Sequence, residues 1–312
     1  MLRWIQVSLA LMVLMLGAVF AQGRLGDIQA RGEVRCGVNG SGLAGFAAVG
    51  ADGQYAGFDV DFCRAIAAAV FGNADAVAYR GLSAQERFTA VQTGEVDVLI
   101  RNTTWTASRD SQLGLNFTAT TFYDGQGFMV RRDSGIRSVL DMEGRSVCVQ
   151  SGTTTELNLA DVMAALDISY TPVIFETSPQ LTAAYDDGQC DAYTTDKSGL
   201  VATQPTLRVP GDHVIIADTI SKEPLGPSVL HGDDGWFDVV QWAVFATMLA
   251  EEYGVTSQNV DEQRANSLNP EVRRLLGVDP AVIEGLGLSG DAFYNVIKQV
   301  GNFGEIYDRH LG

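Results

Sequence analysis

Cations are scarce in this chain: 21 lysines and arginines stand against 38 aspartates and glutamates in 312 residues, a formal net charge of −17. That balance argues against nucleic acid and an anionic membrane surface as partners. Histidine is scarcer still, with only His213, His231 and His310, each isolated in sequence from the four cysteines. No Cys-x-x-Cys pair occurs, so a zinc site has no ligand set. A Walker A sequence and a nucleophile elbow are both missing. The glycine-rich run Gly37–Gly42 follows a strand, but no evident helix comes behind it. Nothing calls for a metal or another cofactor. Long apolar runs are confined to the start, where Arg3, the almost wholly apolar Val7–Phe20 and the small-residue end at Ala21 predict a signal peptide over residues 1–21, cleaved before Gln22. The run is short for a membrane span and no second one follows, so the expected product is a soluble exported protein. The first cysteine, Cys36, lies well beyond that cut, which argues against a lipid-anchored N-terminus.

What is present is a strand that ends in donors. Val96–Ile100 is apolar apart from Asp97, as in a sheet covered on both faces. It runs into Asn102, Thr103, Thr104, Trp105 and, a helical turn later, Arg109. Neutral donors, a guanidinium fork and an apolar surface suit a small carboxylate. Ligands of open α/β sheets sit at the carboxyl ends of strands, where these residues fall.

The chain then repeats itself. Gly94-Glu95-Val96-Asp97-Val98-Leu99-Ile100 is echoed by Gly188-Gln189-Cys190-Asp191-Ala192-Tyr193-Thr194, and Val34–Asn39 by Ser146–Ser151. Each copy of the first motif follows a capped helix. One starts from the capping box Ser83–Glu86; the other takes Ser178 as N-cap with Pro179 at its first position. The first unit reads as the strand Val34–Asn39, the helix Val60–Phe71, the strand Ala76–Tyr79, the capped helix and the strand Val96–Ile100. The second runs through Ser146–Ser151, the helix Thr155–Leu166, the strand Thr171–Phe175, the helix Gln180–Asp187 and the strand Ala192–Thr194. Two βαβαβ units predict parallel sheets with right-handed crossovers, two lobes, and a cleft between them. Phe122–Arg131 reads as an extended connector, with a return near Ile220–Gly226. Beyond it the chain turns helical over Trp236–Tyr253 and from a cap at Asn269.

Gly57-Phe58-Asp59-Val60-Asp61-Phe62, the Arg109 stretch, Gln150-Ser151-Gly152-Thr153-Thr154 and Asp191–Asp196 occur in this order in bacterial amino-acid-binding proteins of ABC importers. With Val147–Leu159 and Gln299–Glu305, the chain resembles their broad-range subgroup, the general L-amino-acid-binding proteins, over the whole mature length. The resemblance implies a two-lobed type II periplasmic-binding-protein-like fold, in which two mixed, mainly parallel sheets are flanked by helices and joined by a hinge. The first lobe is discontinuous, residues 22–122 and 226–312, and residues 123–225 form the second. It also implies a free L-amino acid as ligand, permease subunits of an ABC transporter as partner, a periplasmic location, and no catalysis.

An α-amino acid presents a carboxylate and an ammonium at fixed separation, and both need partners in a closed cleft. Arg109 is the candidate carboxylate clamp, with Thr104 and Asn102 beside it. Thr153 heads a capping box with Glu156, offering a helix N-terminus to an anion, and Ser151 precedes it. Asp196 aligns with the acid that holds the ammonium in the resembling proteins. Asn39 stands where some relatives carry a second acid, which leaves more of the charge to Asp196. Phe46, Trp105 and Tyr123 are candidate walls for the ligand's side chain. No acid or base is clearly placed to demand a charged side chain, which favours broad specificity. The four cysteines allow three pairings. A bridge between lobes would restrain the motion an importer's receptor needs, so Cys36–Cys63 and Cys148–Cys190 are expected. The rival reading is an exported prephenate or arogenate dehydratase on the same fold, which would need a general acid in the cleft.

Overall fold

The computed structural model describes residues 23–312, so the signal peptide expected over 1–21 lies outside the described residues. Fourteen strands follow in chain order: β1 (Val34–Asn39), β2 (Ala48–Val49), β3 (Tyr55–Ala56), β4 (Val77–Leu82), β5 (Val98–Leu99), β6 (Leu115–Phe117), β7 (Phe122–Asp124), β8 (Gln126–Arg131), β9 (Ser146–Gln150), β10 (Thr171–Phe175), β11 (Ala192–Asp196), β12 (His213–Ile215), β13 (Glu223–Leu225) and β14 (Ser228–Leu230). They build two five-stranded sheets, β4-β1-β5-β14-β6 and β10-β9-β11-β8-β12. In each, the three strands of a βαβαβ unit lie parallel in the order second, first, third, and an antiparallel strand closes beside the third. The repeat read from sequence is thus a repeat of topology.

The echoed acids explain why. Asp97 precedes β5 and accepts the Arg35 N–H of β1 at 2.8 Å, while its own N–H returns to the Arg35 carbonyl. Asp191 precedes β11 and accepts the Ser146 N–H of β9 at 2.8 Å, with the same return bond. Each carboxylate fastens the third strand to the first at the amino end of the sheet. The equivalence pairs Arg35 with Ser146, one residue off the match made by aligning Cys36 with Cys148. Asp97 is the more heavily loaded, with Arg24 and Arg31 both ion-paired to it.

Local signals hold with small shifts. Ser83 and Glu86 bond reciprocally as a capping box ahead of the helix Glu86–Gln92, and Asn269 caps Pro270–Leu275. Thr177 is the cap of Ser178–Asp186, one residue earlier than expected, because Pro179 fits one place into the first turn. Thr153 does cap Thr154–Ala165, but Glu156 reaches back to the Gly152 N–H instead of completing a box with Thr153. Gly40, Gly42 and Gly45 carry the spacing of a dinucleotide loop, yet the chain leads into the antiparallel β2–β3 hairpin and not into a helix N-terminus.

The largest apolar core lies under the first sheet, where Phe58–Phe71 and the C-terminal helices Asp234–Glu252, Ala292–Gln299 and Phe303–His310 bury their apolar faces. Trp236 is fully enclosed there and donates its indole N–H to the Asp97 carbonyl at 2.8 Å. A smaller pair of cores covers the two faces of the second sheet. Between the sheets the chain passes through β7 and β13, which pair antiparallel with Phe122 opposite Leu225 and Asp124 opposite Glu223. No helix among the described residues is long and apolar enough to cross a membrane.

Both expected disulfides are formed, Cys36–Cys63 from β1 to the helix behind it and Cys148–Cys190 from β9 to the residue pair before β11. Bridges closing loops of 27 and 42 residues constrain the unfolded chain by about 3–4 kcal/mol each. Replacing Cys36 and Cys63 together by Ser is expected to lower stability by roughly that amount in denaturant titration. An unchanged midpoint would show that the bridge does not restrain the unfolded ensemble.

Candidate functional site

The carboxyl ends of β1 and β11, the segment following β5 and the head of the Thr154–Ala165 helix converge on a cavity of ≈620 Å³. Asn39, Arg101, Asn102 and Thr104 line it from the first sheet, and Thr153, Thr154, Thr155 and Asp196 from the second. The Arg101–Thr104 segment is held from several sides. Asn102 adopts a left-handed backbone, with φ 31°, and its N–H donates to Asp59 Oδ2 at 2.8 Å. Its side-chain oxygen accepts Asn39 Nδ2 at 3.1 Å. Three residues on, the Trp105 N–H donates to the Pro224 carbonyl of β13 at 2.8 Å. Asp59 is buried, and burial pushes its carboxyl up to about 7, against the pull of the Asn102 N–H and the Arg101 charge.

Three buried guanidiniums stand together on the first-sheet side. Arg101 donates Nε to the Leu82 carbonyl at 2.9 Å, and among the described residues its terminal nitrogens have no hydrogen-bond partner. Arg109 donates Nη1 to the Thr104 carbonyl at 2.6 Å. Arg87 reaches the Gly152 carbonyl at a long 3.4 Å, and its Nε is buried without a partner. Arg87 and Arg109 both lie over the Phe88 ring, 4.7 and 5.0 Å from its centroid. Loss of hydration lowers all three: Arg101 and Arg109 fall to about 10, and Arg87, repelled in addition by the other two, falls well below its ordinary value.

Carboxylates face them. Asp196 closes β11 and is 8 % exposed, and among the described residues its side chain has no hydrogen-bond or ion-pair partner. It neither caps the following helix nor pairs with Lys197, whose ammonium goes to the Ala217 carbonyl. Burial, and then the charges of Asp124 and Glu223, push Asp196 up to about 8. Glu223 on β13 is fully engaged. It accepts from Thr104 of the first-sheet side, Thr154 and Asn158 of the second, and Ser221. Asp124 is taken by Ser198 and the Gly125 N–H. Asp196 is therefore the unpartnered acid of this group.

Of the residues singled out from sequence, Asn39, Asn102, Thr104, Thr153 and Asp196 line the cavity. Arg109 does not, although its charge bears on Asp196 from just behind Thr104. Ser151 stands at the edge, accepting Gln85 Nε2 at 2.8 Å from the opposite side of the cleft. None of the three aromatics lines the cavity. Phe46 is core, edge-to-face with Phe58 and Phe122 at 5.9 and 5.3 Å. Trp105 stacks on Phe117 at 5.7 Å and ties its N–H to Asp110. Tyr123 is 80 % exposed on the outer face of β7. From the glycine-rich segment it is the apolar side chains of Leu43, Ala44 and Ala48 that line the cavity.

Arg87 and Arg101 were not anticipated. Arg101 was legible, since it follows the apolar run Val96–Ile100 directly and the strand-end rule that selects Asn102 applies to it equally. Arg87 sits in the first turn of an amphipathic helix, where a charge ordinarily faces water. Its burial depends on the second sheet closing over that helix.

Residues 34–273 match the bacterial extracellular solute-binding proteins, family 3. The general L-amino acid-binding periplasmic protein AapJ of Rhizobium johnstonii is 53 % identical over 99 % of this chain and 91 % of its own length. The glutamate/glutamine/aspartate/asparagine-binding protein BztA of Rhodobacter capsulatus is 48 % identical over 98 % and 90 %. Among solved structures, an ABC transporter periplasmic binding protein from Brucella ovis with glutathione bound is 52 % identical. It superposes with a TM-score of 0.90 over 93 % of this chain and 91 % of that one. A repeat of topology around a charged cleft, and a match across most of the length, lead to one conclusion: the chain belongs to the bacterial extracellular solute-binding proteins of family 3.

Proposed function

We propose that the protein is a periplasmic receptor that binds L-amino acids of broad range in the cleft and delivers them to an ABC-type permease. The observation that carries this reading is the lone unpartnered carboxylate of Asp196 opposite a group of buried guanidiniums. Buried charges without partners cost several kcal/mol, and a zwitterion laid between them satisfies both ends at once. Asp196 takes the ammonium. Arg109, reaching past Thr104, and the side-chain amide of Asn102 take the carboxylate, the Thr104 hydroxyl being given to Glu223, and the helix N-terminus at Thr153 adds backbone N–H groups.

In this reading residues 22–122 and 226–312 form one lobe and 123–225 the other, with the β7–β13 ribbon as hinge. Supporting contacts cross the cleft directly: Gln85 to Ser151, Arg87 to Gly152, and the hydroxyls of Thr104 and Thr154 at 3.3 Å. Closure of a hinge brings such groups together, and a permease reads the closed shape. AapJ, BztA and the YhdW protein of Escherichia coli, 47 % identical to this chain, are all named as binding proteins. That favours a receptor over a dehydratase. Incubation with prephenate or arogenate is expected to yield no product.

Arg109→Lys is expected to weaken every amino acid, whatever its side chain, because a lysine cannot reproduce the two-pronged grip. Calorimetry showing losses for some side chains only would remove Arg109 from the shared carboxylate site. Asp196→Asn is likewise expected to impair all α-amino acids while leaving the melting temperature near that of the parent. Unchanged affinity would place the ammonium elsewhere.

The raised Asp196 gives binding a pH dependence. With its carboxyl near 8, capture of an ammonium below that pH expels a proton, so affinity rises between pH 6 and 8 by up to about tenfold per unit. Titration in buffers of different ionisation enthalpy is expected to show proton release on binding. For folding, the sign is opposite. Asp196 and Asp59, raised to about 8 and about 7, bind protons in the native state at pH values where the unfolded chain has lost them. Ligand-free stability therefore falls as pH rises from about 4 to 8. A melting temperature that climbs over that range would contradict the burial of these acids.

A further inference from the structure

The unpartnered groups of the cleft outnumber the charged ends of a neutral amino acid. Asp196 is the carboxylate with no partner, whereas Glu223 and Asp124 are consumed by hydroxyl, amide and N–H donors. On the other side Arg87 and Arg101 line the cavity, while Arg109 stands just behind. An α-amino acid contributes one anion and one cation. Bound by Arg109 and Asp196, it leaves Arg87 and Arg101 desolvated, with free donors and, among the described residues, no ion-pair partner.

Resting on the receptor reading, we infer that Arg87 and Arg101 form a second anion subsite, which selects ligands carrying a carboxylate besides the α-carboxylate. Arg101 presents its terminal nitrogens from the end of β5, and Arg87 its unpartnered Nε region from the helix above. Both are 3 % exposed, so a charge placed between them is shielded from screening solvent. A cavity of ≈620 Å³ lies in the range, roughly 300–1,000 Å³, that takes drug-sized molecules. The second carboxylate can therefore belong to an acidic amino acid or to the far end of a γ-linked short peptide.

The test is calorimetry on the mature chain with L-glutamate, L-glutamine, L-leucine, the γ-methyl ester of L-glutamate and reduced glutathione. In the unaltered protein glutamate is expected to bind at least tenfold more tightly than its methyl ester, which keeps the shape and removes the charge. Arg101→Gln and Arg87→Gln are each expected to cut the glutamate-to-glutamine affinity ratio at least tenfold. Glutathione tracks glutamate through these variants if a γ-linked peptide uses the subsite, and tracks glutamine if its second carboxylate lies elsewhere, which restricts the subsite to acidic amino acids. Equal affinity for glutamate and its ester overturns the inference, as does an unaltered ratio in both variants. The ester comparison needs no variant, so it decides the matter even if neither substitution folds. Absence of binding by every amino acid, leucine included, sinks the receptor reading itself and not the subsite alone.

Discussion

Opposed charges, buried on either side of one cleft and left without ion-pair partners among the described residues, are the feature around which the molecule is arranged. Removing a guanidinium or a carboxylate from water costs several kcal/mol unless a partner replaces the lost hydration. Arg87, Arg101 and Arg109 on one side, and Asp196 on the other, carry that cost in the folded protein. The placement of Arg101 and Asp196 follows from topology. Strand ends in open α/β sheets leave side chains pointing over the edge. Doubling the same five-stranded arrangement brings two such edges face to face.

The ribbon between the two sheets carries its own charge. Glu223, on one strand of the β7–β13 ribbon, accepts from Thr104 on the first-sheet side and from Thr154 and Asn158 on the second. A single carboxylate thus ties both halves to the strand between them. Charge-assisted hydrogen bonds of this kind are stronger than those between neutral groups. In the proposed reading they set how far the lobes can part, and the ligand adds its grip to contacts already made by Gln85 and Ser151.

Much of this was legible beforehand, for reasons that can be named. Asp97 and Asp191 betrayed the doubled topology because each does a backbone job that needs an acid at one position relative to a strand. Thr153 was legible because helix starts carry short-range signatures, and Asp196 because it aligns with an acid of the resembling proteins at the end of a strand. The aromatics misled. Phe46 and Tyr123 are similar in size and chemistry, and nothing local distinguishes a ring packed against Phe58 and Phe122 from one left in solvent. Arg87 escaped for the opposite reason. A charge in the first turn of a helix looks solvated until a distant segment, Gly152, covers it. Long-range closure, and not local propensity, decides such positions.

The most direct measurement is a crystal structure of the protein with L-glutamate bound. The expected result is an ammonium on the Asp196 carboxylate and an α-carboxylate on a guanidinium of the first-sheet side, so that one ligand spans both halves. A ligand whose ammonium sits away from Asp196, or which touches one half alone, would contradict the account.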